Sequence, residues 1–138
     1  MKKILLMLGI FLATLVTTAQ TDDLRFRIDM LSYQEMVEGE WETIHDKVSA
    51  SGLIILNGRR IHVYLGDETF VYDQVSNLTE FEEEDYKSTQ GYFIDCEGDR
   101  ARIEIANFYV FEGKRLIFGI YYSNIRIYYS ADLIKAIN

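Results

Sequence analysis

The sequence predicts an all-β domain, a single antiparallel meander of eight or nine short strands closed as a small barrel. Three observations carry that expectation. Apolar and polar residues alternate with period two after residue 22, as where Leu24, Phe26, Ile28 and Met30 interleave with Arg25, Arg27 and Asp29, which is the pattern of a strand with one buried face. The runs are separated by short turn sequences (Asn57-Gly58, Gly66-Asp67, Glu97-Gly98-Asp99, Ser123-Asn124), and connections this short join only antiparallel neighbours. The helix candidates are marginal: Tyr33 to Val37 before Gly39, and Ala131 to Ile137 at the C-terminus. A meander of this many twisted strands curls, and closure removes its edges. A two-layer β-sandwich is the alternative.

The strands follow in order. Residues 24–30 form the first, and Trp41 to Val48 supply another. Leu53-Ile54-Ile55-Leu56 and Ile61-His62-Val63-Tyr64-Leu65 flank Asn57-Gly58 as a hairpin, since Asn-Gly favours a tight primed turn. Thr69 to Val75 comes next. Gly91 to Cys96 and Arg100 to Phe108 form a second hairpin, with Ile103 and Ile105 alternating with Arg102 and Glu104. Leu116 to Tyr122 and Ile125 to Tyr129 form the last. Between Val75 and Gly91 lies an acidic run, Glu80, Glu82, Glu83, Glu84 and Asp85, expected as a solvated, self-repelling loop. The chain has no proline, so Lys and Arg are left to protect its sheet edges.

The first nineteen residues are an address. Met1-Lys2-Lys3 is a positive start, Ile4 to Val16 is an apolar run, and Thr17-Thr18-Ala19 supplies small residues for a signal peptidase, leaving Gln20 as the new N-terminus. The run is short for a membrane span, which needs roughly 20 apolar residues. Residues 1–19 are thus read as a signal peptide and residues 20–138 as one domain. Stable membrane insertion after cleavage is not expected, and no cysteine stands near the cut to carry a lipid. The expected location is a periplasm or the outside of the cell.

Cleavage removes Lys2 and Lys3, so 12 of the 14 Lys and Arg remain against 22 Asp and Glu, a net charge of about −10. Such a chain is repelled by phosphate backbones and anionic lipid surfaces, which argues against nucleic acid as a partner. The single cysteine, Cys96, has no partner for an internal disulfide and reads as a small buried hydrophobe in a strand.

Candidate chemistry is sparse. His45 and His62 are the only histidines, too few for a zinc site of usual composition, and His62 should face away from Ile61 and Val63 together with Tyr64. Asp95, Glu97 and Asp99 are a weak calcium candidate, lacking the spacing of an EF-hand loop. No Gly-x-Ser-x-Gly turn is present, and no cofactor is expected. Tyrosine is the excess, at ten residues. In Tyr121-Tyr122 and Tyr128-Tyr129 the two rings must point to opposite faces, so each pair places one ring on an outer, aromatic face suited to a glycan or a protein partner. Tyr64, Tyr122, Tyr128 and Trp41 are the candidate binding residues. The functional expectation is therefore a non-enzymatic binding module recognising a protein or glycan. A carrier holding a small apolar ligand inside the barrel is the alternative, and a hydrolase built on a carboxylate pair stands last.

Two resemblances add to this reading. Gly39-Glu40-Trp41 is similar to the Gly-x-Trp signature that opens the first barrel strand of lipocalins, and Arg126 in the last strand resembles the basic residue that packs over that tryptophan. Here a strand at residues 24–30 precedes the motif, which departs from the lipocalin order. The resemblance implies the carrier reading. Over residues 1–130 the layout also resembles a group of small exported proteins common in Bacteroidetes. The features are the lysine-initiated signal ending in Thr-Ala-Gln, Tyr33, Trp41, the hairpin from Leu53 to Tyr64, Phe70-Val71-Tyr72-Asp73, an acidic spacer, Asp95-Cys96-Glu97-Gly98-Asp99, and Ile125-Arg126-Ile127-Tyr128-Tyr129. That resemblance implies export and an all-β fold, and no mechanism.

Overall fold

Alternating side chains and short turns shape the fold in the computed structural model, which describes residues 23–108 and 115–134. Nine strands are present: β1 (Leu24–Val37), β2 (Glu40–Asn57), β3 (Arg60–Leu65), β4 (Glu68–Gln74), β5 (Thr79–Glu82), β6 (Tyr86–Asp95), β7 (Arg100–Phe108), β8 (Arg115–Tyr121) and β9 (Ile125–Ile134). All pairings are antiparallel, in the order β4-β3-β2-β1-β9-β8-β7-β6-β5, and β4 also pairs with β6. That last pairing, Tyr72 with Asp95, Asp73 with Ile94 and Gln74 with Phe93, closes an eight-stranded barrel and leaves β5 as an added strand. The barrel, not the sandwich, is the architecture.

Tight turns set the registers. Glu38 and Gly39 both have positive φ (51° and 83°) between the paired ends Val37 and Glu40, the backbone a primed two-residue turn requires. At the β2–β3 hairpin the turn residues are Gly58-Arg59, between the paired Asn57 and Arg60, one residue later than the sequence suggests.

One face of each strand fills the interior. Phe26, Ile28, Ile54, Val63, Tyr72, Ile103, Phe118, Ile120, Tyr129 and Ala131 are all at most 2% exposed, and Phe26 meets Phe118 edge-on at 5.1 Å between ring centroids. Burial of this set is the main force behind the fold. In β1, Asp29 is an extra residue between Ile28 and Met30 relative to β9. A bulge of this kind re-aims a side chain, and here the Asp29 carboxylate reaches Arg115 two strands away, where Asp132 and Ser130 also bind the guanidinium.

Several expectations are corrected. Among the described residues there is no helix: Tyr33 to Val37 continue β1, and Ala131 to Ile134 continue β9, because both segments find strand partners to bond to. Residues 135–137 of the second candidate, the signal segment 1–19 and Tyr109 lie outside the described residues. The separate runs at 41–48 and 53–56 are one strand, β2, bent at irregular registers. The acidic run is not all loop, since Thr79–Glu82 pair with β6 as β5, and Glu80 lies 3.7 Å from Lys87. Cys96 is exposed in the turn after β6 and not buried in a strand, because β6 ends at Asp95 where the hairpin begins. Among the described residues no strand pairs with residues 40–51 of β2 on the side away from β1. Lys47 sits there with a positive φ of 51°, a charge and a kink that both discourage edge pairing. At β5 the strand carries Glu80 and Glu82 instead of a base.

Candidate functional site

The residues that alternate with the buried set form the outer face. Because the strands pair in register, outward residues line up into rows across the sheet. In one row Thr43, Gln34, Arg126, Tyr121, Arg102 and Tyr92 stand opposite one another in β2, β1, β9, β8, β7 and β6. The next row holds Ser32, Tyr128, Gly119, Glu104 and Gln90.

Arginine and aromatic rings alternate along this face. The Arg126 guanidinium lies 3.8 Å from the Trp41 ring centroid, Arg102 lies 4.1 Å from that of Tyr121, and Arg100 lies 4.3 Å from that of Tyr92. Each is a cation–π contact that holds a flexible side chain in place. Tyr121 meets Tyr128 edge-on at 5.6 Å and donates its hydroxyl to Glu104 at 3.1 Å. Arg102 Nη1 donates to Gln90 Oε1 at 2.8 Å, and Gln90 Nε2 donates to Glu104 at 3.2 Å. Burial, then the nearby Glu104 and Tyr128, push the Tyr121 hydroxyl far above the usual tyrosine range, so it stays a donor. The row is pre-ordered.

Two hollows open on the same face. One, of about 350 Å³, is lined by Met30, Ser32, Lys47, Arg115, Ile117 and Tyr128. The other, of about 200 Å³, lies across the sheet where β4 gives way to β5, with Phe81, Tyr92, Gln90 and Arg102 around it.

Of the sequence candidates, Tyr128 and Trp41 belong to this face. Tyr64 is outward and stacked on His62 with ring centroids 6.0 Å apart, but on β3, away from the row. Tyr122 faces the other way: it packs against the core and donates to Asp95 at 2.8 Å. Its neighbour Tyr121 is the outward member of that pair, so the facing assigned to Tyr122 is reversed. Asp95 is similarly engaged, accepting the amides of Glu97 and Asp99 as well as the Tyr122 hydroxyl. Burial raises its pKa, but these bonds outweigh burial and hold it below the usual carboxylate range. That carboxylate builds the hairpin, and among the described residues no three His, Cys, Asp or Glu converge to hold a metal ion. The Arg126–Trp41 contact expected from the lipocalin resemblance is made, though on the outer face and with Trp41 in the second strand.

Sequence reasoning missed Tyr92, Arg102, Tyr121, Gln90 and Glu104. The outward parity of Arg102, Glu104 and Tyr121 is legible from Ile103 and Ile120 beside them, and that of Tyr92 from Phe93, but their alignment depends on registers that periodicity does not fix.

No protein-family model matches the chain, and neither a curated protein nor a solved structure matches it. Fold and site together define an eight-stranded antiparallel barrel with an ordered outer row of arginines and aromatic rings.

Proposed function

We propose that this protein is a non-enzymatic binding module, exported and soluble, that recognises its partner through the outer face of β6, β7, β8, β9, β1 and β2. The observation that carries the reading is the outer face on which Arg126, Arg102 and Arg100 each lie within 4.3 Å of a ring centroid. Rigid aromatic and arginine side chains lose little freedom on binding and dominate the energy of recognition surfaces. Export rests on the pattern of residues 1–19 described above.

The carrier reading is less well supported. Among the described residues large side chains fill the interior, and the pocket that reaches Leu56, Ile61, Phe93 and Ile103 at one end has a volume of about 20 Å³, space for about one water. A small apolar ligand needs a cavity of roughly 300 Å³ or more.

The test compares wild type with the Trp41→Ala/Tyr128→Ala double variant on a panel of immobilised glycans and peptides. Binding by wild type that falls at least tenfold in the variant supports the reading. Equal binding by both overturns it.

A further inference from the structure

The hollow of about 200 Å³ at the β5 end of the outer face is lined by aromatic and planar polar residues, with one arginine among them. It exists because β4 leaves β6 at Gln74 and β5 rejoins β6 at Thr79, so the chain between them loops along the β6 edge. Ser76 ties that loop down by accepting the Tyr92 amide at 2.9 Å, and the Val75 amide donates to the Tyr92 carbonyl at 2.9 Å.

Two rings border it, Phe81 at 46% exposed and Tyr92 at 41%. Exposed rings beside a hollow are open to a ligand, and their flat faces suit the C–H face of a sugar. Residues that carry planar polar groups complete the lining, Gln90, Asn77 and Arg102, with Thr79 beside them. Arg102 is fixed by Tyr121 on its face and by Gln90 at Nη1. Guanidinium is the group best matched to a carboxylate in a fixed plane. No carboxylate stands among the described residues lining this hollow, and Arg100 lies against Tyr92 at its border, in a chain whose net charge is −8. Arg102 is thus the one charged residue in the described lining, with the Glu104 carboxylate one residue behind it through Gln90.

We infer that this hollow binds one carboxylate-bearing pyranose, a uronic-acid unit of an acidic polysaccharide, with its ring against Tyr92 and Phe81 and its carboxylate at Arg102. The inference rests on the outer face being the binding surface, and it names the ligand class and the place of one subsite. A neutral sugar would use the rings and leave Arg102 without a charged partner.

The test is isothermal titration with oligogalacturonate, oligomannuronate and hyaluronan fragments, each beside its own carboxyl-reduced, neutral form. The expected result is binding of at least one acidic oligosaccharide ten times or more tighter than its reduced form, weakening as salt is raised. Arg102→Gln should abolish that preference, and Tyr92→Ala or Phe81→Ala should weaken binding at least fivefold. All three positions are partly or fully exposed, and circular dichroism checks that each variant folds. Equal affinity for acidic and reduced forms overturns the inference, as does the absence of binding to any of the three. If Trp41→Ala/Tyr128→Ala removes binding while the Tyr92 and Arg102 variants bind as wild type, the face is right and this subsite is wrong. If neither set matters, the binding-face reading itself fails.

Discussion

Gly119 and Tyr121 stand two apart on the outer side of β8, and the Tyr121 ring lies over the space a side chain at 119 would fill. Ring and hydroxyl atoms come within 2.8–2.9 Å of where a Cβ at 119 would be. That lean carries the Tyr121 hydroxyl to Glu104 and its ring edge to Tyr128, joining the two outer rows. A bare glycine weakens a strand; here an aromatic ring covers it.

Gly119→Ala should therefore destabilise the fold by about 1–2 kcal/mol, the loss of one hydrogen bond and one ring pair outweighing the gain in strand propensity. Urea unfolding measures it. In the Tyr121→Ala background the same substitution should be close to neutral, since nothing remains to clash, and the double-mutant cycle reports the coupling.

Arg126→Gln should cost about 0.5–1 kcal/mol through loss of its contact with Trp41. Trp41 is the only tryptophan, so its fluorescence reports the change directly, with the emission shifting as the ring gains water.

Phe118→Ala should cost about 3–5 kcal/mol, because the ring is 2% exposed inside a filled barrel and its removal leaves a cavity beside Phe26. Thermal unfolding checks this. A loss below 1 kcal/mol would mean that the interior is not packed as described.

The acid limb of stability should depend on Asp95. Its folded pKa lies below the unfolded value, so it contributes stability above about pH 4 that is lost as pH falls through the folded pKa. Asp95→Asn should flatten the stability profile between about pH 4 and pH 2 while lowering the plateau at neutral pH. On the alkaline side Tyr121, Tyr122 and Tyr129 are all raised, burial being the largest cause for each. Their contribution is complete below about pH 10 and declines as pH rises past it, when the unfolded chain ionises first. Tyr122→Phe should soften that decline.

Much of the fold can be read from alternation alone. Arg100–Phe108 is a strand with the bounds periodicity suggests, and the parity of Ile103 and Ile105 puts Arg102 and Glu104 outside. Where the sequence misleads, competing partners decide. Tyr33 to Val37 has too little apolar pattern to read as a strand, yet both β2 and β9 bond to it. Thr79–Glu82 carries acids that read as loop, but the open edge of β6 accepts it as β5. The candidate site was legible in part. Trp41 and Tyr128 stand out as aromatic residues on outward positions, whereas Tyr122 fails because one residue of phase separates it from Tyr121. The alignment of Arg126, Tyr121, Arg102 and Tyr92 across four strands belongs to the pairing registers, which a single chain read locally does not display.

The most direct test of the binding face is photo-cross-linking in intact cells of the native host, with benzoyl-phenylalanine placed at Tyr128 in one strain and at the exposed Thr69 of β4 in another. A specific macromolecular adduct is expected at position 128 and none at position 69. Equal labelling at both positions, or no adduct at 128 beside a native mass showing a retained ligand of a few hundred daltons, would contradict it.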